Sequence, residues 1–162
     1  RGPLATRYVQ QFLRNVAWGD VDFLILDLPP GTGDIQLTIV QTAELDGVVV
    51  VTTPQEVALI DARKAIGLFE RVETPILGII ENMSYFQCPS DGKIYHIFGE
   101  GGGEREAAKL GVPLLGKIPL DISTRFGGDE GRPVALEDPG QNPVSAAFRQ
   151  VAEQCARVVL DR

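Results

Sequence analysis

Apolar residues along this chain follow two rhythms, one spaced like a helix face and one nearly unbroken. In residues 4–17, LATRYVQQFLRNVA, the side chains of Leu4, Ala5, Tyr8, Val9, Phe12, Leu13 and Val16 share one helical face, and Gly19 can end that helix. The unbroken rhythm follows at once: VDFLILDLPPG reads as an apolar strand running into a Pro/Gly turn. Three more short apolar runs read the same way, GVVVVTT (47–53), PILGIIEN (75–82) and PLLGKIP (113–119). Helical spacing fills the intervals at about 34–44, 57–72 and 103–110. The closing VSAAFRQVAEQCARVVL is a helix with Val144, Phe148, Val151, Cys155, Val158 and Val159 on its inner face. Strands that are apolar throughout are buried on both faces, and strands separated by helices imply a parallel sheet in an α/β layer fold. No repeat, low-complexity tract or linker divides residues 1–162, so they read as one domain.

Composition narrows the function. Hydrophobic content of 44% and charged content of 23% belong to an ordinary globular protein. A net charge of −7 argues against a broad nucleic-acid surface, which needs a basic stripe to neutralise phosphates. No apolar run approaches the length of a bilayer span, so no membrane partner is expected. Two cysteines, 67 positions apart, make no disulfide framework, and a reducing, cytoplasmic setting is the expectation. The chain opens RGPLATRY, without an initiator Met or a signal-peptide pattern, and reads as a piece of something longer.

In a parallel α/β sheet, ligands sit beyond the carboxyl ends of the strands. Those ends carry Asp27 with PPGTGD, then TTPQE, then Glu81 and Asn82, then Pro119 with Asp121. FLILDLPPGTGD is the sharpest of them. An apolar strand delivering Asp27 at its end is the Walker B arrangement, in which the carboxylate holds Mg²⁺ through water. The turn Gly31–Thr32–Gly33 can bring backbone N–H groups close to a terminal phosphate, while Asp34 reads as the cap of the next helix. The matching Walker A is missing. The nearest approach, GVPLLGKI (111–118), ends in Ile where the Mg²⁺-binding hydroxyl belongs and falls in an expected strand, so it is a chance match. FGEGGGEREAAKLG lacks fingerprint spacing and has Glu100 and Glu104 beside it, so it reads as a flexible hinge ahead of a helix. Asp61, Arg63 and Lys64 read as the solvated side of a helix.

Taken in order, RGP…QQFL…WGDVDFLILDLPPGTGDIQLTI, TTPQEVALIDARKAI, LGIIENMSYF and IFGEGGG resemble the Mrp/ApbC-type P-loop ATPases, relatives of MinD and ParA that act as iron–sulfur cluster carriers. The resemblance runs from the first residues to the final helix. It implies a P-loop NTPase-type parallel sheet of which residues 1–162 form the C-terminal part, the P-loop strand, its lysine and switch I lying ahead of residue 1. It further implies a homodimer that binds and hydrolyses ATP and delivers a bridging [4Fe–4S] cluster to apo iron–sulfur proteins. By the same likeness Asp27 is the Mg²⁺-site carboxylate, Gly31 part of switch II, Asn82 the reader of the adenine edge, and Pro119 and Asp121 the lining of the base pocket. An amide such as Asn82 suits adenine because it donates and accepts at once; a strand-end turn residue is the plainer reading. Without the lysine-bearing loop, these 162 residues alone are expected not to hydrolyse ATP.

One departure from the family pattern concerns the cluster. Most members carry C-x-x-C after ENMSYF, whereas here the run is Cys88, Pro89, Ser90, Asp91. One thiolate per chain gives a dimer two, and such clusters are normally held by four. Asp91 can add an oxygen, a harder ligand than the cluster prefers. Ligand and non-ligand readings of Cys88 stand level. Cys155 reads as core and His96 as a turn histidine. Two rivals follow: a nucleotide-dependent scaffold or regulator without a cluster, and a ParA/MinD-like positioning ATPase, which the acidic balance and the core-like last helix disfavour.

Overall fold

The computed structural model describes residues 2–29 and 33–161. Its helices are α1 (Gly2–Asn15), α2 (Asp34–Thr42), α3 (Glu56–Arg71), α4 (Gly102–Leu110), α5 (Ile122–Asp129) and α6 (Pro143–Leu160). Its strands are β1 (Val48–Thr52), β2 (Ile76–Glu81), β3 (Phe86–Gln87), β4 (Ile94–Tyr95) and β5 (Leu114–Lys117). The long apolar runs become a parallel sheet of order β1-β2-β5, as their continuous character requires. β2 is central, with Leu77, Ile79 and Glu81 buried. Val50, Ile66, Ile79 and Ala107 form a core between the sheet and α3 and α4, with Ala62, Leu110, Val112 and Leu114 packed around it. α6 lies over β5, and Asn142 starts it: its side chain accepts from the N–H groups of Val144 (2.8 Å) and Ser145 (3.3 Å), with Pro143 inside the first turn.

Several expectations change. Residues 21–29 form no strand, and no strand among the described residues pairs with them. A strand apolar on both faces needs ladder partners and cover, and neither is present here. A buried aliphatic side chain contributes about 1.5–3 kcal/mol; Ile79, at 1% exposure, gains it, and Ile25, at 88%, does not. The outer strand β1 is likewise half-covered, with Val51 exposed. α1 does form, yet Leu4, Tyr8, Phe12 and Val16 face outward and only its α2 side is packed.

The glycine-rich stretch is no hinge. α4 begins inside it, and Gly102 and Gly103 are buried because the backbone is pressed against its neighbours. A Cβ on Gly102 would lie 2.4 Å from the Pro54 carbonyl oxygen, and one on Gly103 would lie 3.1 Å from the Glu81 Cβ. Arg63 is not simply solvated: its guanidinium grips Glu106 of α4 through Nε (2.8 Å) and Nη2 (2.6 Å) and Glu56 through Nη1 (2.7 Å). At α2 the cap position belongs to Gly33, not Asp34. The sequence also concealed the β3–β4 hairpin, whose strands are too short for a period to show. α5 was hidden because Gly127 and Gly128 sit inside it.

Candidate functional site

Parallel register brings the strand ends to one edge of the sheet. Thr52 of β1 pairs with Glu81 of β2, which pairs with Lys117 of β5. Asn82, Pro119 and Asp121 therefore emerge together, on the side where α/β sheets take ligands. Asn82 is half-buried; its backbone N–H donates to the Thr52 carbonyl (2.7 Å) and its Oδ1 accepts from the Met83 N–H (3.0 Å). Among the described residues its side-chain amino group has no partner and can donate to a ligand. Pro119 is buried at the end of β5. Asp121 caps α5, accepting from the Thr124 N–H (2.9 Å) and from the Ser123 hydroxyl. Burial opposes its charge, but these hydrogen bonds prevail and hold its carboxyl below the ordinary value.

The Walker B region stands apart. Asp27 is exposed on the irregular segment 21–29, and Gly31 lies outside the described residues. One contact ties the end of that segment to α2, the Gln36 side-chain amide donating to the Pro29 carbonyl (2.7 Å).

Cys88 begins the turn of the β3–β4 hairpin. The turn is closed by Cys88 N–H to the Lys93 carbonyl and Gly92 N–H to the Cys88 carbonyl, both 2.8 Å. The Cys88 Sγ lies 3.0 Å from the Ser90 hydroxyl, whose hydrogen bond draws the thiol below its usual range. The Lys93 N–H (3.1 Å) and then the Cys88 thiol hold the Asp91 carboxyl low. The Lys93 ammonium adds a longer contact at 3.5 Å. So Asp91 is already engaged within the turn. His96 sits near Glu100 at 3.6 Å on an open surface, as a turn histidine. Among the described residues no group of three or more His, Cys, Asp or Glu could hold a metal ion. One copy of this hairpin therefore brings one thiol and one carboxylate together at its turn. Cys155 is half-buried on α6, and burial pushes its thiol up, as a core residue requires.

Glu81 was missed. It is fully buried, its Oε1 accepting the Ser84 hydroxyl (2.5 Å) and its Oε2 the Gly103 N–H (2.7 Å). The N-terminus of α4, which a glycine-rich approach makes attractive to anions, is thus occupied by the protein's own carboxylate. The available signal was a glutamate closing an otherwise apolar strand.

A family model described as ParA, NUBPL iron-transfer P-loop NTPase, matches residues 1–156. An iron-sulfur cluster carrier protein of Pyrococcus furiosus is 50% identical over 154 residues, which are 95% of this chain and 52% of that protein. One from Escherichia coli K12 is 49% identical over 156 residues, 96% of this chain and 42% of its own length. The chain thus spans about half the length of the curated relatives it matches. Among solved structures, a nucleotide-binding protein of Archaeoglobus fulgidus in complex with ADP superposes with a TM-score of 0.72 at 43% identity, covering 80% of this chain and 53% of that one.

Proposed function

The chain belongs to the NUBPL iron-transfer family of P-loop NTPases, and from that premise we propose that it is part of an ATP-binding carrier that delivers an iron–sulfur cluster to apo-proteins. The observation that carries this reading is one of continuity. The strand end bearing Asn82 leads, within a few residues, into the hairpin bearing Cys88. The strand edge that this reading gives to the nucleotide and the thiol that it gives to the cargo thus share one stretch of backbone.

In this reading Asn82 reads the base, with Pro119 and Asp121 beside it, while Asp27 holds Mg²⁺ through water and Gly31 approaches the terminal phosphate. ATP binding joins two copies, and Cys88 from each presents a thiolate to the [4Fe–4S] cargo. Two thiolates leave two cluster positions for Asp91 or for ligands from outside, so the cargo is held more loosely than by four cysteines. Loose holding suits release to an acceptor with a full thiolate set. ATP turnover is expected of the full-length gene product, and these 162 residues alone are expected to show none above an Asp27→Ala control.

A second reading, a nucleotide-dependent scaffold without a cluster, is favoured by one observation: the Asp91 carboxylate is occupied by Lys93. Transfer separates the two. Full-length protein, reconstituted anaerobically and freed of loose iron, is mixed with an apo-enzyme whose activity requires a [4Fe–4S] cluster. Recovery of that activity, abolished by Cys88→Ser, is the result expected of a carrier. Recovery no faster than with free iron and sulfide would leave the scaffold.

A further inference from the structure

The excursion that carries Cys88 leaves the sheet after β2 and returns at α4, and one carboxylate stands at both of its ends. Glu81 accepts the hydroxyl of Ser84, where the chain departs, and the N–H of Gly103, where it comes back. We propose that Glu81 is a positioning residue: a buried clamp that closes the base of the excursion 84–103 and so fixes where the Cys88 hairpin stands relative to the nucleotide edge.

The geometry is specific to that role. Glu81 is 0% exposed, and its hydrogen bonds are to a hydroxyl and a backbone amide that are 19 positions apart in sequence, Ser84 and Gly103. A buried polar group in that position is stable only when hydrogen bonds satisfy it, so leaving either arm open is costly. The departing limb has further ties to β5 and the turn after it: Ser84 N–H to the Ile118 carbonyl (3.0 Å), Leu120 N–H to the Tyr85 carbonyl (2.7 Å), and a bridge between Phe86 and Leu120. The returning limb is pressed against Pro54 at Gly102. Without the carboxylate these are two limbs held separately. With it they are joined beside Asn82, the next residue in the chain. Glu81 is therefore the group that ties the returning limb to the departing one beside Asn82.

This inference rests on the carrier reading for its purpose but not for its test. Three variants of the full-length gene product serve: Glu81→Ala, Ser84→Ala and Glu81→Gln. Should Glu81→Ala fail to fold, Ser84→Ala still opens one arm while leaving the core intact. Glu81→Gln can keep both arms, its oxygen accepting from Gly103 and its amide donating to the Ser84 oxygen. Backbone hydrogen exchange is read along the chain, and iron retention is read in parallel after anaerobic loading. The expected result for Ser84→Ala is exchange in residues 84–103 faster by roughly tenfold or more, with β1 and α6 unchanged, and faster iron loss. Glu81→Gln should restore both readouts toward wild type. Exchange that rises evenly through the sheet, or stays unchanged in 84–103, would overturn the clamp. Wild-type protein that holds no iron would overturn the carrier reading, and the exchange data would still judge the clamp.

Discussion

Two cysteines with opposite surroundings give the residue scale its plainest test. The Ser90 hydroxyl favours the Cys88 thiolate, whereas burial disfavours that of Cys155. In the apo protein at mildly alkaline pH, iodoacetamide should label Cys88 faster than Cys155 by roughly tenfold or more. Ser90→Ala should slow Cys88 alone, and equal rates by mass spectrometry would refute the assignment. A second test is acid stability. Arg63, then Lys109, hydrogen-bond the Glu106 carboxylate and lower its pKa from 4.5 to about 2. A carboxylate depressed in the folded state adds stability that is full above its unfolded value and is lost as pH falls through the folded one. Stability should therefore decline between about pH 4.5 and about 2, and Glu106→Gln should flatten that limb of the curve. An unaltered limb would mean the pair contributes nothing. At this scale the sequence exposed Cys88 and Asn82 through their motifs. It showed Glu81 only as a strand-end carboxylate and hid Glu106, because a buried carboxyl reveals its role only through partners distant in sequence.

Among elements, those with long periods were legible and the short ones were not. β1, β2 and β5 could be read because continuous apolar runs admit few alternatives, and α3, α4 and α6 because apolar positions recur on one face. The β3–β4 hairpin spans two residues per strand, too few for any rhythm. Residues 21–29 carry the sequence of a buried strand without the neighbours that would make them one, since strand formation depends on tertiary partners as much as on composition. The glycine run misled because composition cannot distinguish freedom from close approach. That last point is testable: Gly102→Ala places a methyl 2.4 Å from the Pro54 carbonyl oxygen. Overpacking of this kind costs about 1–3 kcal/mol. A denaturant midpoint lowered accordingly is expected, and an unchanged one would restore the hinge.

For the whole molecule, Leu4, Tyr8, Phe12, Phe23, Leu24, Ile25 and Val51 are all exposed. Apolar surface on this scale drives association. The 162-residue chain should sediment as concentration-dependent oligomers, and Phe12→Glu with Ile25→Glu should reduce them; a lone monomer at high concentration would show the surface to be harmless. The central claim, that the Cys88 hairpin serves an iron–sulfur cargo, is tested most directly by counting. Full-length gene product is reconstituted anaerobically, and iron and sulfide are measured per chain beside a Cys88→Ser variant. About two irons and two sulfides per chain, lost in the variant, is the result expected of a four-iron cluster shared by two copies. No retained iron, or iron indifferent to Cys88, would contradict it.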